Sequence, residues 1–417
     1  LNRNNTLATE LNIAGYNLRK FDDNFNFIIS GYQVVKNDED NKTTPTTLPY
    51  ISYSLGSNFI GLTTYQQNIT FYNIFRDNAT TDHAQKQQKA HHKINSEREF
   101  YRFNSKINFK TELHSQYYNI KNKKIDSQDY SGTYGRIFPM SGIYFETPVQ
   151  NEKNNINIVP KASFILNGSQ PSSHKVSNEE STNNNYTLLN SSSLNRYTGT
   201  DKLDNSKRVN YGIDLFKDLF TFSLSQSYEF DANSQYNKEV GLKDYMSDLL
   251  GNSSYEGEKN QFSHGFRLNV DKGIIESQTA TYQNENKIGI STINYNQERA
   301  ESNLILKENK EMIDYTFTSN KIYHYSTINF TSKYDIHNDD ILNYNIGYKY
   351  FDECFGFQID FDRSFYEDRD LKPKDTLTAL FAFKHLGSYK SSNLAVSEDD
   401  KQEIRWLSES INDEVFD

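Results

Sequence analysis

Cysteine is almost absent. Cys354 is the single one in 417 residues, so no disulfide can close within this chain and any bridge must reach outside it. Long apolar runs are missing as well: no stretch approaches the roughly 18 consecutive apolar residues of a transmembrane helix. A basic excess is lacking, because 45 Lys and Arg stand against 55 Asp and Glu for a net charge of −10. That balance argues against a nucleic-acid partner, which usually demands a basic face. Nor are there the continuous Val/Ile/Leu runs of doubly buried strands, which a compact α/β protein would show. The chain opens on Leu1-Asn2-Arg3-Asn4-Asn5, with neither an initiator Met nor an apolar h-region. This is the pattern of a processed or truncated piece of a longer protein, and it says nothing against export.

What is present is aromatic and alternating. Hydrophobic residues make up 35%, yet aromatics reach 14%, with 30 Tyr and 28 Phe. Disordered chains are depleted in aromatics, so disorder fits poorly. From Leu342 to Leu386 three runs alternate. Leu342, Tyr344, Ile346, Tyr348 and Tyr350 stand against Asn343, Asn345, Gly347 and Lys349; Phe355, Phe357, Ile359 and Phe361 against Gly356, Gln358, Asp360 and Asp362; Leu377, Ala379, Phe381 and Phe383 share a third parity. Successive strand side chains point to opposite faces, so each run has one apolar and one wet face. An outer-membrane barrel needs apolar residues only on its lipid-facing parity, fills its lumen with polar ones and carries aromatic girdles. The expected fold class is therefore all-β, an antiparallel transmembrane β-barrel of roughly 16–20 strands at outer-membrane dimensions.

Glu99–His114 reads as the clearest strand, with Tyr101, Phe103, Ile107, Phe109 and Leu113 on one parity. Its length exceeds the roughly 5–6 residues of soluble strands and suits a tilted bilayer crossing. Further candidates are Asn24–Val35, Phe59–Asn68, Ile69–Phe75, Tyr211–Phe216, Phe220–Phe230, Phe262–Val270, Ile288–Tyr295, Tyr315–Asn320 and Tyr323–Tyr334. The polar stretches Lys36–Thr47, Asp77–Asn95, Ile120–Thr133, Asn167–Leu194 and Asp231–Lys259 read as connectors of unequal length. No fixed repeat emerges, which weakens a solenoid or propeller. Residues 1–387 form the barrel portion. After Gly387 the alternation stops, and 388–417 reads as a polar acidic tail, with Ile404, Leu407 and Ile411 at helical spacing.

Few residues suggest chemistry. His83, His91 and His92 cluster in a polar stretch without the spacing of a zinc site, and read as solvated loop histidines. Glu367, Asp368, Arg369 and Asp370 precede Pro373 and read as a solvated turn rather than an acid–base pair. Ser and His are scattered without a convergent triad, so no catalytic residue, metal ligand or cofactor is expected. Arg102, Lys106 and Lys110 share a parity as candidate lumen-facing cations that could attract phosphates. Balance by acidic neighbours is the competing reading. Cys354 fits either a small buried residue in a hairpin or half of a disulfide in an oxidising compartment. A general porin-like channel and a surface β-rich adhesin remain alternatives. Strand length and aromatic load count against the adhesin, and the thirty or so residues after the last strand count against the porin.

Several segments resemble the LptD family of outer-membrane lipopolysaccharide-assembly proteins (also called OstA or Imp). Arg136-Ile-Phe-Pro-Met-Ser-Gly-Ile-Tyr-Phe-Glu146 resembles its Arg-x-x-Pro…Gly-x-x-Phe-Glu segment, preceded by the proline-marked Pro45-Thr-Thr-Leu-Pro-Tyr-Ile51. Val159-Pro160, Asn178-Glu-Glu-Ser181, Asn195-Arg-Tyr-Thr-Gly-Thr-Asp201 and Arg208-Val-Asn-Tyr-Gly212 follow in the family's order, then Leu224-Ser-Gln-Ser-Tyr228 and Ser247-Asp248. Tyr350-Phe-Asp-Glu-Cys-Phe-Gly-Phe357, Arg363, Asp368-Arg-Asp370, Pro373 and Leu386-Gly387 resemble the closing hairpins. The resemblance runs from about Pro45 to Gly387.

The resemblance implies a larger family barrel with an N-terminal periplasmic jellyroll, neither of which is complete in this chain. It implies translocation rather than catalysis, in the outer membrane of a Gram-negative bacterium. Lipopolysaccharide would arrive along a periplasmic Lpt bridge, pass its sugars through the lumen and leave by a lateral gate between first and last strands, into the outer-membrane lipids. An LptE-type lipoprotein plug would sit inside the barrel. On this resemblance Thr376–Leu386 is the gate strand, with Thr376, Thr378, Leu380, Ala382 and Lys384 as candidate gate residues. Cys354 would pair with a cysteine of the N-terminal region.

Overall fold

Alternation becomes strand along most of the chain in the computed structural model. The structure describes residues 6–390 except 19–21, 35–40, 127, 170–173, 183, 233–235, 237–240, 243–244, 301–308, 323–324, 353, 366–373 and 384–386. Glu367, Asp368, Arg369, Asp370, Pro373, Lys384 and the tail beyond Lys390, with Ile404, Leu407 and Ile411, lie outside the described residues. Among the described residues 21 strands are assigned to one sheet. The only α-helix among them is α1 (Leu188–Ser191), and no helix is long and apolar enough to cross a membrane.

The chain divides into two compact units. Unit 1 (Leu1–Leu215 and Ser223–Leu250) holds β1 (Thr6–Tyr16), β2 (Asn24–Val34), β3 (Thr46–Ile60), β4 (Thr63–Phe75), β5 (Lys86–Arg102), β6 (Ser105–Ile125), β7 (Gln128–Glu146), β8 (Val149–Asn151), β9 (Ile156–Asn167), and most of β10 (Lys207–Lys217) and β11 (Phe220–Glu229). Unit 2 (Phe216–Phe222 and Gly251–Asp417) holds most of β12 (Leu249–Glu256), then β13 (Asn260–Asn269), β14 (Ile274–Glu285), β15 (Gly289–Glu298), β16 (Lys310–Ser319), β17 (Ser326–Asp335), β18 (Asp340–Phe351), β19 (Phe355–Ser364), β20 (Lys374–Phe383) and β21 (Gly387–Lys390). Setting aside the short β8 and β21, nineteen strands remain, within the expected range. β21 carries the pairing past Gly387, where the alternation stops.

The expected single strand Glu99–His114 is a hairpin. Phe103 and Asn104 take φ of 51° and 59°, and Arg102 pairs with Ser105 across them. Two successive positive φ values make the tight primed turn whose twist matches antiparallel strands. The alternating letters run on through this turn, yet the register pairs odd with even positions, Tyr101 with Lys106, so the parity that faces one side in β5 faces the other side in β6. Phe59–Asn68 likewise straddles the turn between β3 and β4. Three expected connectors contain strand: β5 begins at Lys86 inside Asp77–Asn95, β6 and β7 reach into Ile120–Thr133, and β12 lies inside Asp231–Lys259.

Unit 2 follows the binary pattern closely. The register aligns Ile293 with Tyr315, Phe317 with Phe330, Phe330 with Ile346, Ile346 with Phe361 and Phe361 with Leu377, so one face is a continuous apolar band. The opposite face carries Thr281, Asn294, Asp314, Asn329, Asn345, Asp360, Asp362 and Thr378 by the same register. In unit 1 one parity of β6 and β7 places Phe109, Leu113, Tyr117, Ile137 and Ile143 outward and exposed. The other parity is covered by the long connection between β9 and β10. Leu194 and Leu203 of that connection pack on Phe138, Met140 and Ile165 in a buried apolar cluster.

Candidate functional site

The connection 174–206 is short of apolar residues, so it cannot dock by hydrophobic burial alone. It docks through charges that meet partners on β4–β7. Arg76, just past β4, forms a fork with Glu179, its two Nη atoms donating at 3.0 and 2.6 Å. Lys89 on β5 is buried and donates to Asp201 at 2.9 Å, to Thr200 Oγ1 at 2.7 Å and to Glu180. Tyr72 and Tyr118 hydroxyls reach the same Asp201 carboxylate at 3.2 and 3.1 Å, and the backbone N–H groups of Glu179 and Glu180 close on its other oxygen. Arg136 on β7 donates to the carbonyls of Thr200 and Asp201 at 3.1 and 2.7 Å. A buried charge persists only when its hydrogen-bonding capacity is met, and here a carboxylate 112 positions along the chain from Lys89 supplies that.

Electrostatics follow from the packing. Burial pushes the Asp201 carboxyl up, against the attraction of Lys89. Burial would also raise Glu180, but Lys89 and Thr200 bring it below the ordinary value. Glu179 is likewise opposed by burial, yet the nearby His83 and the forked Arg76 hold it down at about 2. Gly199 sits at φ +73°, with the Glu180 carbonyl oxygen 2.3 Å from where a Cβ would stand, so only glycine fits that approach.

A second buried network lies beside the first. Arg196 donates to Asp204 at 2.7 Å and to Glu229 at 2.5 Å, and Arg208 donates to Asp204 at 3.1 Å. Asn167 donates from one amide to the carbonyls of Leu194 and Asp204. Tyr236 stacks on Tyr197 with ring centroids 4.7 Å apart, and Arg196 lies over its ring. Burial opposes ionisation of Asp204, but the two guanidiniums hold it below its ordinary value.

Under the docked connection lies a cavity of about 920 Å³ whose wall includes Asn95, Glu97, Lys106, Asn108, Lys110 and Tyr197. Lys106 pairs with Glu99 at 2.7 Å, Lys110 with Glu97 at 3.3 Å and Lys93 with Glu112 at 2.9 Å. Arg102 does not join them. The hairpin register puts Tyr101 opposite Lys106 and Arg102 opposite Ser105, so Arg102 is on the other face. Three cations read as one strip are therefore two balanced by acids and one elsewhere.

Of the three histidines, His83 lies in a loop as expected, whereas His91 and His92 lie on a strand. His83 precedes β5, with Nδ1 3.6 Å from Glu179. His91 is buried on β5, its Nε2 3.1 Å from His114 Nδ1. His92 faces the opposite side and meets Gln67 at 2.8 Å. Cys354 is exposed and free in the turn between β18 and β19, its N–H donating to Asp352 at 2.9 Å. Thr376, Thr378, Leu380 and Ala382 share the polar parity of β20, opposite Asp362, Asp360, Gln358 and Gly356. The residues of the two anchoring networks had been legible as motifs, Asn178–Ser181, Asn195–Asp201 and Arg208, but not as an anchor, because their partners lie on remote strands.

Comparison with known proteins gives one family. The model described as LptD, LPS transport system D, matches residues 1–360. No curated protein matches the chain. Among solved structures, a variant of the Rh. blastica porin overlaps 80% of this chain and 100% of its own at 10% identity and a TM-score of 0.29. A triple mutant of the Rhodopseudomonas blastica porin does so at 9% identity and 0.29. A structure titled for asymmetric conductivity of engineered proteins covers 78% of this chain and 98% of its own, at 10% and 0.28. Overlaps this loose bear on neither fold nor function.

Proposed function

From the premise that the chain belongs to the LptD family, and is thus an antiparallel β-barrel protein of the Gram-negative outer membrane working in lipopolysaccharide transport and assembly, we propose that its loop-covered face lines the path of the sugars. The observation that carries this is the docked connection 174–206, held by buried ion pairs over a polar cavity. A wall that lets saccharide pass needs hydrogen-bonding groups and water, not apolar surface, and that face offers amides, hydroxyls and balanced charges. The connection closes the cavity at the long-loop end and must loosen for passage.

The finer parts of the reading are proposals of the same kind. Lipopolysaccharide leaves sideways at the gate strand β20, whose polar-face residues Thr376, Thr378, Leu380 and Ala382 meet the sugars while Leu377, Ala379 and Phe381 meet lipid. An LptE-type lipoprotein occupies the lumen, and a periplasmic Lpt bridge delivers the substrate. Cys354 pairs with a cysteine of a periplasmic segment. Its position supports this: it sits in a short turn, at the end of unit 2 that also carries the turns 257–259 and 286–288, and short turns of such barrels face the periplasm. A general porin rested on alternation and a polar face, which every such barrel shares; family membership separates the two.

A photo-crosslinker placed at Asn108 on the covered face, and at Phe109 on the opposite one, tests the path in cells making the full protein. Lipopolysaccharide adducts are expected at Asn108 above Phe109; equal yields would sink the proposed path. Depletion of the protein is expected to lower surface lipopolysaccharide, and unchanged levels would overturn the role itself. Non-reducing electrophoresis with and without Cys354→Ser reads the disulfide, and identical mobilities would remove it.

A further inference from the structure

The outer face of unit 1 brings small side chains together between larger ones across β4–β7. The register aligns Phe71, Ala90, Tyr117 and Gly135 in one row across β4–β7, and Ile69, His92, Ser115 and Ile137 in the next. Small side chains at Ala90, Ser115 and Gly135 leave a groove of about 780 Å³ between the larger ones. On the side of the long connections the following row is Asn73, Gln88, Asn119 and Thr133, all uncharged and polar, with Asn119 donating to Gln88 at 3.0 Å. One row further, Lys86 stands directly opposite Lys121. Neither lysine has a carboxylate partner among the described residues, whereas Lys89, Lys93, Lys106 and Lys110 all do.

Two like charges directly opposite on adjacent strands destabilise a sheet, unless an anion lies between them. The order of rows is the order of an amphiphile: a channel for hydrocarbon, a band of amide and hydroxyl groups, then two ammonium groups. Long loops of such barrels face outward, so the lysines stand at the headgroup level of the outer leaflet and the groove in its hydrocarbon. We infer that this wall carries a binding site for a phosphorylated, acylated glycolipid of the outer leaflet, the lipid portion of lipopolysaccharide. One acyl chain lies over Ala90 and Gly135, the sugar backbone meets Gln88 and Asn119, and a phosphate bridges Lys86 and Lys121. The site is on the lipid-facing wall and separate from the cavity, so it rests on the outward orientation of the long loops and not on the sugar path.

Native mass spectrometry of the full protein with its partners, released from nanodiscs, reads the site directly, with bis-phosphorylated lipid A and phosphatidylglycerol as probes. Wild type is expected to retain lipid A at about tenfold lower probe concentration than the Lys86→Gln/Lys121→Gln double variant, the usual scale for losing a charge-assisted contact. Gly135→Leu is expected to lose it too. A Cβ there meets nothing nearer than the Gln116 carbonyl at 3.8 Å, so the variant can fold and fill the groove; heat-modifiable gel mobility checks that it has. Lys153→Gln, exposed in the short-turn segment between β8 and β9 and outside both the groove and the cavity, should behave as wild type. Equal retention by the double variant overturns the site, and so does equal retention by folded Gly135→Leu. Phosphatidylglycerol held as well as lipid A overturns the assignment to the glycolipid. Export of lipopolysaccharide is not read in this assay, so failure here leaves the transport role standing.

Discussion

The polar face of unit 1 buries ion pairs, with side chains of Lys89 and Asp201 each 1% exposed and those of Arg208 and Asp204 at 0%. On the polar face of unit 2 the ion pair of Lys333 with Asp314 stays 30% and 38% exposed. There cross-strand hydrogen bonds join neighbouring side chains: Asn329 to Asn345 at 3.0 Å, Thr281 to Asn294 at 2.9 Å, and Asn345 to the Asp362 carboxylate at 2.7 Å. Both faces are polar, yet they solve different problems. Cross-strand amide and hydroxyl pairs satisfy each other locally and need no outside partner. Charges taken out of water need counter-charges, and in unit 1 a single connection brings them. The first kind of face can stay open to water; the second exists only while the connection is docked.

Removing the shared carboxylate breaks this contrast most severely. Asp201→Ala leaves Lys89, two tyrosine hydroxyls and two backbone N–H groups facing a gap, and should cost about 3–5 kcal/mol, the range for stripping one partner from a buried pair. Hydrogen exchange of peptides across 178–201 should rise to that of an open loop while β13–β19 stay protected; unaltered exchange would mean the network does not hold the connection.

Acid should reach the same end by degrees. Glu179 is held at about 2 against an ordinary value of 4.5, so its folded-state pKa is depressed. Its contribution is present in full above 4.5 and fades as the pH falls through about 2. Protease nicking of the connection should therefore climb below pH 4.5, and Glu179→Gln should flatten that part of the profile. A profile that Glu179→Gln leaves unchanged would assign the transition to other groups.

Leu194→Ala separates the apolar share of docking from the ionic one. It opens a space against Phe138, Met140 and Ile165 and should cost about 2–3 kcal/mol, toward the low end for buried leucine because the connection can settle inward. The smallest effect belongs to unit 2. Asn345→Ala removes two half-exposed hydrogen bonds and should cost about 1 kcal/mol, read as a slight loss of protection in β17–β19. A loss as large as that of Asp201→Ala would erase the distinction between the two faces.

Legibility followed the same divide. Runs in β18, β19 and β20 alternate cleanly, because their polar side chains are neutral or solvated and every apolar one faces the other way. β5 begins Lys86-Gln-Gln-Lys-Ala-His-His-Lys93, with polar letters on both parities, and so read as a connector. Its covered parity, Gln87, Lys89 and His91, is polar because it meets the connection, and its outer parity carries Lys86, Gln88 and His92. The tight turn at Phe103–Asn104 was hidden for the converse reason: alternation runs on through it, and nothing in the letters marks where the chain reverses.

By itself the sequence determined the class of architecture, since binary patterning decides which side of each strand can meet lipid. It also held the ordered motifs that carry the family. Only the tertiary structure decided that Asn178–Ser181, Asn195–Asp201 and Arg208 are an anchor, that Arg102 parts from Lys106 and Lys110, and that Lys86 faces Lys121. Each of these depends on register or on partners a hundred residues apart, and a charge's surroundings are fixed by what folds against it rather than by its neighbours in the chain.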